Sequence, residues 1–297
     1  SPKKIDKNII IFSRKNCQKF DLIYLLKIFF FNIYFLITLR MSKCSVSYLD
    51  HISILIWDKL SIFIHKDIKK VTTPYEAQPF QNFIFYKIKK FSNKIKTCGY
   101  IHNNQPYPSH MFKRYGSPEK IMVHSVDQKF HLEQYFGWKK KDIIISSSLR
   151  FIKKDSKRFI NNILLPYDFD DYKFYLNKFE SLVRTNANKF GNLKVKNHPL
   201  KISSKKHQLL LSGLSNIIKK NKKKFKSKSK IKNTIILGAS SGIFEALENH
   251  FSVFHIFEDK ILEKCSIKMW PSMKIKQLEE NIYKYNLIKI NNLINIT

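Results

Sequence analysis

Two short stretches of this chain combine residue types that can hold an anion. Lys196-Asn197-His198-Pro199 follows an apolar-alternating run at 192–195, and Gly238-Ala239-Ser240-Ser241-Gly242 separates an apolar run from a segment of helical spacing. At a strand end, a lysine ammonium supplies a point charge and an imidazole N–H can donate to a phosphate oxygen. Pro199 restricts the backbone of His198 to an extended shape. Small residues after a strand permit a tight turn, and the following helix offers free N–H groups and the positive end of its dipole. Ser240 and Ser241 add two hydroxyls there, and Glu245 could accept hydrogen bonds from a ribose diol. A plainer reading of each stays open: His198 as a loop residue, Ser241 as a helix cap, Glu245 as a carboxylate that favours the helix dipole.

To meet, these groups need strand ends lying side by side. Apolar runs and turn residues predict strands at 52–56, 62–64, 120–124 and 143–146, with a helix at 127–136 closed by Gly137. A polar, basic stretch at 151–162 reads as a linker. A second alternation follows: strand 163–165, helix 171–189 ended at Gly191, strand 193–196, strand 234–237, helix 243–249, strand 252–256 and a last helix near 275–285. Strands alternating with helices predict an α/β fold with parallel sheets and ligands at the carboxyl ends of strands. The expected architecture is two Rossmann-like domains facing a cleft, 1–152 and 153–297, the first short enough to suggest a truncated amino terminus. Asp168-x-Asp170 after strand 163–165 reads as a helix cap or as a metal-holding pair.

Composition narrows the function classes. With 43% apolar residues, 25 Phe and 14 Tyr, the chain can fill a sizeable core, and order is expected for most of it. The formal charge of +33 invites a nucleic-acid reading. Yet arginine, the residue of specific phosphate and base contacts, occurs at positions 14, 40, 114, 150, 158 and 184 alone. The lysine surplus travels with Ile, Asn, Phe and Tyr, as in a compositionally biased genome, and no nucleic-acid-binding motif is present. Cys17, Cys44, Cys98 and Cys265 lie far apart, which indicates neither a zinc site nor a disulfide scaffold and fits a reducing cytoplasm. The apolar stretch 22–39, interrupted by Lys27 and Asn32, reads as an amphipathic or buried helix, an interfacial anchor or a membrane span. The lysine-dense block 219–232 reads as a solvated loop or as a patch for anionic headgroups or a polyanionic acceptor.

Lys-x-His-Pro followed by Ser-Ser-x-x-x-Glu-Ala in the second half resembles the GT-B glycosyltransferases that use cytidine-nucleotide donors: bacterial polysialyltransferases and sialyltransferases, capsule KDO transferases and CDP-glycerol glycerophosphotransferases. The stretches 72–81 (TTPYEAQPFQ), 99–108 (GYIHNNQPYP) and Met269-Trp270-Pro271 are similar to bacterial surface-carbohydrate biosynthesis proteins of the same superfamily. The resemblance runs from about Val71 to Tyr285. It implies a metal-independent inverting transfer of a sugar or polyol phosphate from a CMP- or CDP-linked donor to a glycan or lipid-linked glycan. Such an enzyme would be cytoplasmic and peripheral on the inner face of the cell membrane, with no cofactor and no specific nucleic-acid partner. It assigns Lys196, His198, Pro199, Ser240 and Ser241 to the donor phosphate and Glu245 to the ribose. The base is expected on the first domain. The acidic pair followed by glycine that serves the sialyl families does not occur there, so Glu76, between two prolines, is the leading candidate and His102 the second. A non-catalytic relative, a nucleic-acid-binding protein and a nucleotide-sugar epimerase of the same architecture are the competing readings.

Overall fold

In the computed structural model the described residues are 26, 29–30, 68–108, 110–148, 159–196, 204–225, 232–289 and 293–294. The strands expected at 52–56 and 62–64 lie outside them, as do His198, Pro199 and most of 22–39. Contacts divide the chain into compact units Ser1–Phe63 and Ile64–Thr297. The second unit is a mixed α/β structure built on two sheets.

The first sheet contains β1 (Lys70–Pro74), β2 (Lys96–Tyr100), β3 (Lys120–Val123) and β4 (Ile143–Ile145), side by side in that order and all parallel. Helix α1 (Pro79–Phe91) joins β1 to β2, and α2 (Val126–Tyr135) joins β3 to β4. Pro79 sits at the first helical position, where its missing N–H costs nothing. The inner face of α1 repeats at helical spacing through Gln81, Ile84, Phe85 and Ile88. Sequence periodicity did not disclose β1, α1 and β2, because β1 (Lys-Val-Thr-Thr-Pro) is an edge strand with one aliphatic residue.

The second sheet runs β6-β5-β7-β8-β10-β9, comprising β5 (Asn162–Leu164), β6 (Lys194–Lys196), β7 (Asn233–Leu237), β8 (Ser252–Ile256), β9 (Met273–Glu279) and β10 (Ile282–Leu287). The first four are parallel. Helices α3 (Tyr172–Asn186), α4 (Lys205–Lys220) and α5 (Gly242–Glu248) connect them. Strands β7 and β8 are buried on both faces, as their continuous apolar runs require. Tyr175, Phe179, Leu182 and Val183 of α3 pack in one cluster with Ile163, Ile235 and Phe254. Burial of each such side chain contributes about 1.5–3 kcal/mol.

The helix expected near 275–285 is instead the antiparallel hairpin β9–β10, so this sheet is mixed rather than wholly parallel. Met273, Ile275, Tyr283 and Tyr285 fall at strand spacing, and Asn281 turns the chain with φ +64°. The helix cap at 168–171 is also more specific than the sequence suggested. Asp171 accepts from the Lys173 N–H at 2.8 Å, while Asp168 pairs with Lys206.

Buried polar contacts join the two sheets. Asp127 of α2 accepts from the N–H and hydroxyl of Ser272 at 2.9 and 2.8 Å. Trp270 Nε1 donates to the Pro106 carbonyl at 2.9 Å, and His131 Nδ1 lies 3.2 Å from the Met269 carbonyl. Glu248 of α5 accepts from Leu293 and Ile294 N–H, while Asn104 donates to the Leu293 carbonyl. Each buried group thus has its partner across the junction.

Candidate functional site

The carboxyl edge of the first sheet is assembled from the residues that leave β1, β2 and β3. After β1 the chain turns at Tyr75-Glu76-Ala77-Gln78, and the buried amide of Gln81 organises that turn. Its Oε1 accepts from the N–H groups of Glu76 (2.8 Å) and Gln78 (3.1 Å), and its Nε2 donates to the Pro74 carbonyl at 2.8 Å. Asn82 adds a hydrogen bond to the Ala77 carbonyl at 3.2 Å and accepts from the Tyr75 hydroxyl at 2.9 Å. Ala77 holds φ +53°, a left-handed conformation that disfavours a residue with a Cβ. Two buried amides and a strained alanine therefore present one half-exposed carboxylate.

Beside it, β2 delivers His102. Its Nε2 stands 3.3 Å from Glu76 Oε1, with 37% of each side chain exposed, and its Nδ1 is buried without a partner. Next along the edge, β3 delivers His124, wholly buried against Tyr100 at 5.2 Å between rings. Neither ring nitrogen of His124 has a hydrogen-bond partner. Burial, reinforced by neighbouring His102, pushes its pKa down to about 4, so it is neutral at pH 7.

Glu76 also lines a pocket with Asn103, Gln105, His110, His131 and Trp270. The pocket is small, about 20 Å³, with room for little more than one water. His131 is neutral, its pKa lowered to about 4 by burial, and burial likewise lowers that of His110. A half-exposed carboxylate beside an imidazole, surrounded by neutral amides and histidines, can take a proton from a hydroxyl.

The carboxyl edge of the second sheet is differently composed. Gly238 after β7 adopts φ +66°, where a Cβ would come within 2.8 Å of Pro166 Cβ. Ser240 Oγ accepts from Gly242 N–H at 3.1 Å, whereas Ser241, at the N-cap of α5, makes no side-chain cap bond. Glu245 is 7% exposed, and Lys196 ends edge strand β6, with β5 between it and β7. Backbone N–H groups of this edge already meet carboxylates. Glu263 accepts from Ala239 (3.3 Å), Glu258 (2.9 Å) and Asp259 (3.3 Å), and Glu258 accepts from Asp170 and Asp171 at 3.0 and 2.8 Å. Burial raises the pKa of Glu263 against the effect of these three bonds.

Of the residues singled out from the sequence, the structure brings Glu76 and His102 together and sets Ser240 and Ser241 on the other sheet. Sequence reasoning missed His124, Gln81 and Glu263. His124 could have been found as the residue directly after an apolar strand, the same signal that exposed His198. Gln81 carried only a capping signal, and Glu263 none. Among the described residues no group of three or more His, Cys, Asp or Glu could hold a metal ion, and no helix is long and apolar enough to cross a membrane. No family model, curated protein or solved structure matches this chain.

Proposed function

We propose that the protein is a group-transfer enzyme of the GT-B glycosyltransferase type. Two Rossmann-like domains, 1–152 and 153–297, would move a sugar or polyol phosphate from a cytidine-nucleotide donor to a surface-polysaccharide acceptor. The observation that carries this reading is the 3.3 Å pairing of Glu76 with His102 at the carboxyl edge of a parallel sheet. In this reading Glu76 accepts the proton of the acceptor hydroxyl as its oxygen attacks the anomeric carbon of a sugar, or the phosphorus of a polyol phosphate. The bond to the donor phosphate oxygen breaks, and the nucleotide leaves with that electron pair. His102 holds the Glu76 carboxylate in line and steadies it as it takes up the proton. Lys196, His198, Ser240 and Ser241 would stabilise the departing phosphate, with Glu245 on the ribose and no metal required.

The test combines binding and turnover. CMP or CDP should raise the melting temperature more than UDP or GDP, and His198→Ala should remove that shift. Glu76→Gln should retain the shift but lower kcat about 100- to 10,000-fold, the usual contribution of general-base catalysis. Absence of stabilisation by every nucleotide would sink the donor assignment. Full turnover by Glu76→Gln would move the base elsewhere.

A further inference from the structure

The opposite edge of the first sheet carries a second built site. At the amino-terminal ends of β2 and β3, the Glu119 N–H donates to Thr97 Oγ1 at 3.0 Å. The last turn of α1 and the loop 113–117 line, with this contact, an open pocket of about 470 Å³. Its charged lining consists of Lys89, Lys90, Lys113 and Arg114 against one carboxylate, Glu119. The loop is firmly held. Lys113 Nζ donates to the Pro118 carbonyl at 2.7 Å and lies 4.1 Å from the centroid of the Trp138 ring. Arg114 Nη2 donates to the His110 carbonyl at 2.8 Å, and Ser117 Oγ accepts from Arg114 N–H at 3.0 Å. Gly116, at φ +83°, passes so close to Asn82 that a Cβ would lie 2.8 Å from its carbonyl oxygen.

Tyr86 and Tyr115 line the same pocket, and two exposed phenylalanines adjoin its lining residues in the chain. Tyr115 is 83% exposed and its ring lies 5.2 Å from that of Tyr86, over which Lys90 Nζ sits at 5.1 Å. Phe91 and Phe112, chain neighbours of the lining residues Lys90 and Lys113, are 56% and 51% exposed. Water penalises exposed phenyl rings, whereas a bilayer interface accepts them together with lysine stems. A soluble anion would account for the cations but not for the phenylalanines.

We propose that this pocket and these aromatic side chains dock the protein on an anionic phospholipid surface. A headgroup phosphate would lie among Lys89, Lys90 and Arg114, with Phe91, Phe112 and Tyr115 at acyl-boundary depth. The site uses no residue of the lysine-dense block at 219–232 or of the apolar stretch 22–39. It stands on its own geometry and does not depend on the transferase reading. It lies at the opposite strand ends from the Glu76–His102 pair, which docking would leave facing solvent.

The test is co-flotation of the full chain with phosphatidylcholine vesicles, plain or containing about one-third phosphatidylglycerol. Lys89→Gln/Lys90→Gln should weaken binding to the anionic vesicles about 20-fold. Lys222→Gln/Lys223→Gln removes the same charge from α4's end and should change it less than about threefold. Phe91→Ser/Tyr115→Ser should abolish the part of binding that survives raised salt. Thermal melts establish that each variant is folded. Equal losses in both lysine pairs would mean unspecific attraction and overturn the proposal. Unchanged binding in the first pair would do so as well, and so would release of the protein by soluble pyrophosphate, which would make the ligand a free anion.

Discussion

The carboxyl edges of the two sheets solve the same problem in opposite ways. A parallel sheet leaves polar strand ends at this edge that must find partners. In the second sheet the chain supplies them itself, through Glu258 and Glu263. In the first sheet, His124 and His102 keep ring nitrogens without partners, and Glu76 stands half exposed on a strained turn. Two buried histidines sharpen the contrast. His255 in β8 has Nε2 2.8 Å from the Gly238 carbonyl and Nδ1 3.2 Å from the Tyr285 hydroxyl, whereas His124 has no such contact. Burying a polar group without partners costs about 1–3 kcal/mol. Among the described residues three of the four buried side-chain atoms without a partner, two on His124 and one on His102, lie at the first edge; the fourth, the Tyr175 hydroxyl, lies beside Gly238 at the second.

The sharpest way to break this comparison is to remove each histidine. His255→Leu should cost about 2–4 kcal/mol, since it strips partners from a buried carbonyl and hydroxyl. His124→Leu should leave stability within about 1 kcal/mol or raise it, because it removes unsatisfied nitrogens. Urea unfolding of both variants measures the gap, and equal losses would erase the distinction.

A second prediction concerns acid. His124, His131 and His255 have folded pKa values of about 4, below the ordinary 6.5. The unfolded chain therefore binds more protons between those values, and stability falls as pH drops from about 6.5 to about 4. Each histidine contributes up to about 3 kcal/mol over that window. Asp127 and Glu263 act in the opposite sense, because burial raises their carboxyl pKa; their stabilising contribution is lost as pH rises above the ordinary carboxylate range. Urea midpoints across this range should drop with acid, and the His124→Leu variant should show a shallower slope by about one proton.

Smaller effects probe the Glu76 turn. Gln81→Ala removes three hydrogen bonds and should cost about 1–3 kcal/mol, with amide exchange quickening at Glu76 and Gln78 ahead of the rest of the sheet. Uniform acceleration would mean that Gln81 is not a local organiser. Ala77→Gly should be the mildest change. Relief of φ +53° offsets the added freedom of the unfolded chain, leaving stability within about 1 kcal/mol. A larger loss would show that the Ala77 methyl is needed for packing, consistent with its 4% exposure.

Local pattern disclosed the second sheet better than the first. Strand 252–256 was legible to the residue, and β7, α3 and α5 within a residue or three, because Thr234–Leu237 and Val253–Ile256 are apolar runs bounded by turn residues. The 275–285 segment misled because it mixes lysines with aliphatics, and its period of two competes with helix-forming Lys, Gln, Leu and Glu. The first sheet was half legible. Lys120–Val123 and Ile143–Ile145 announced themselves, whereas β1 and β2 are rich in Lys and Thr and owe their place to their neighbours.

The sequence by itself determined the strand–helix alternation of the second sheet, and through it that Ser240 and Ser241 would follow a strand; Glu76 and His102 it placed only in loops between elements. Apolar periodicity is a local property, and so is the polarity of the residues that interrupt it. Only the tertiary structure decided which ends are neighbours. It placed His102 3.3 Å from Glu76, left His124 without a partner behind it, and set the Glu263 carboxylate on the Ala239 N–H. Those outcomes depend on strand order and on a loop folding back across 24 residues. They are settled by packing against the rest of the chain, which no short stretch of sequence contains.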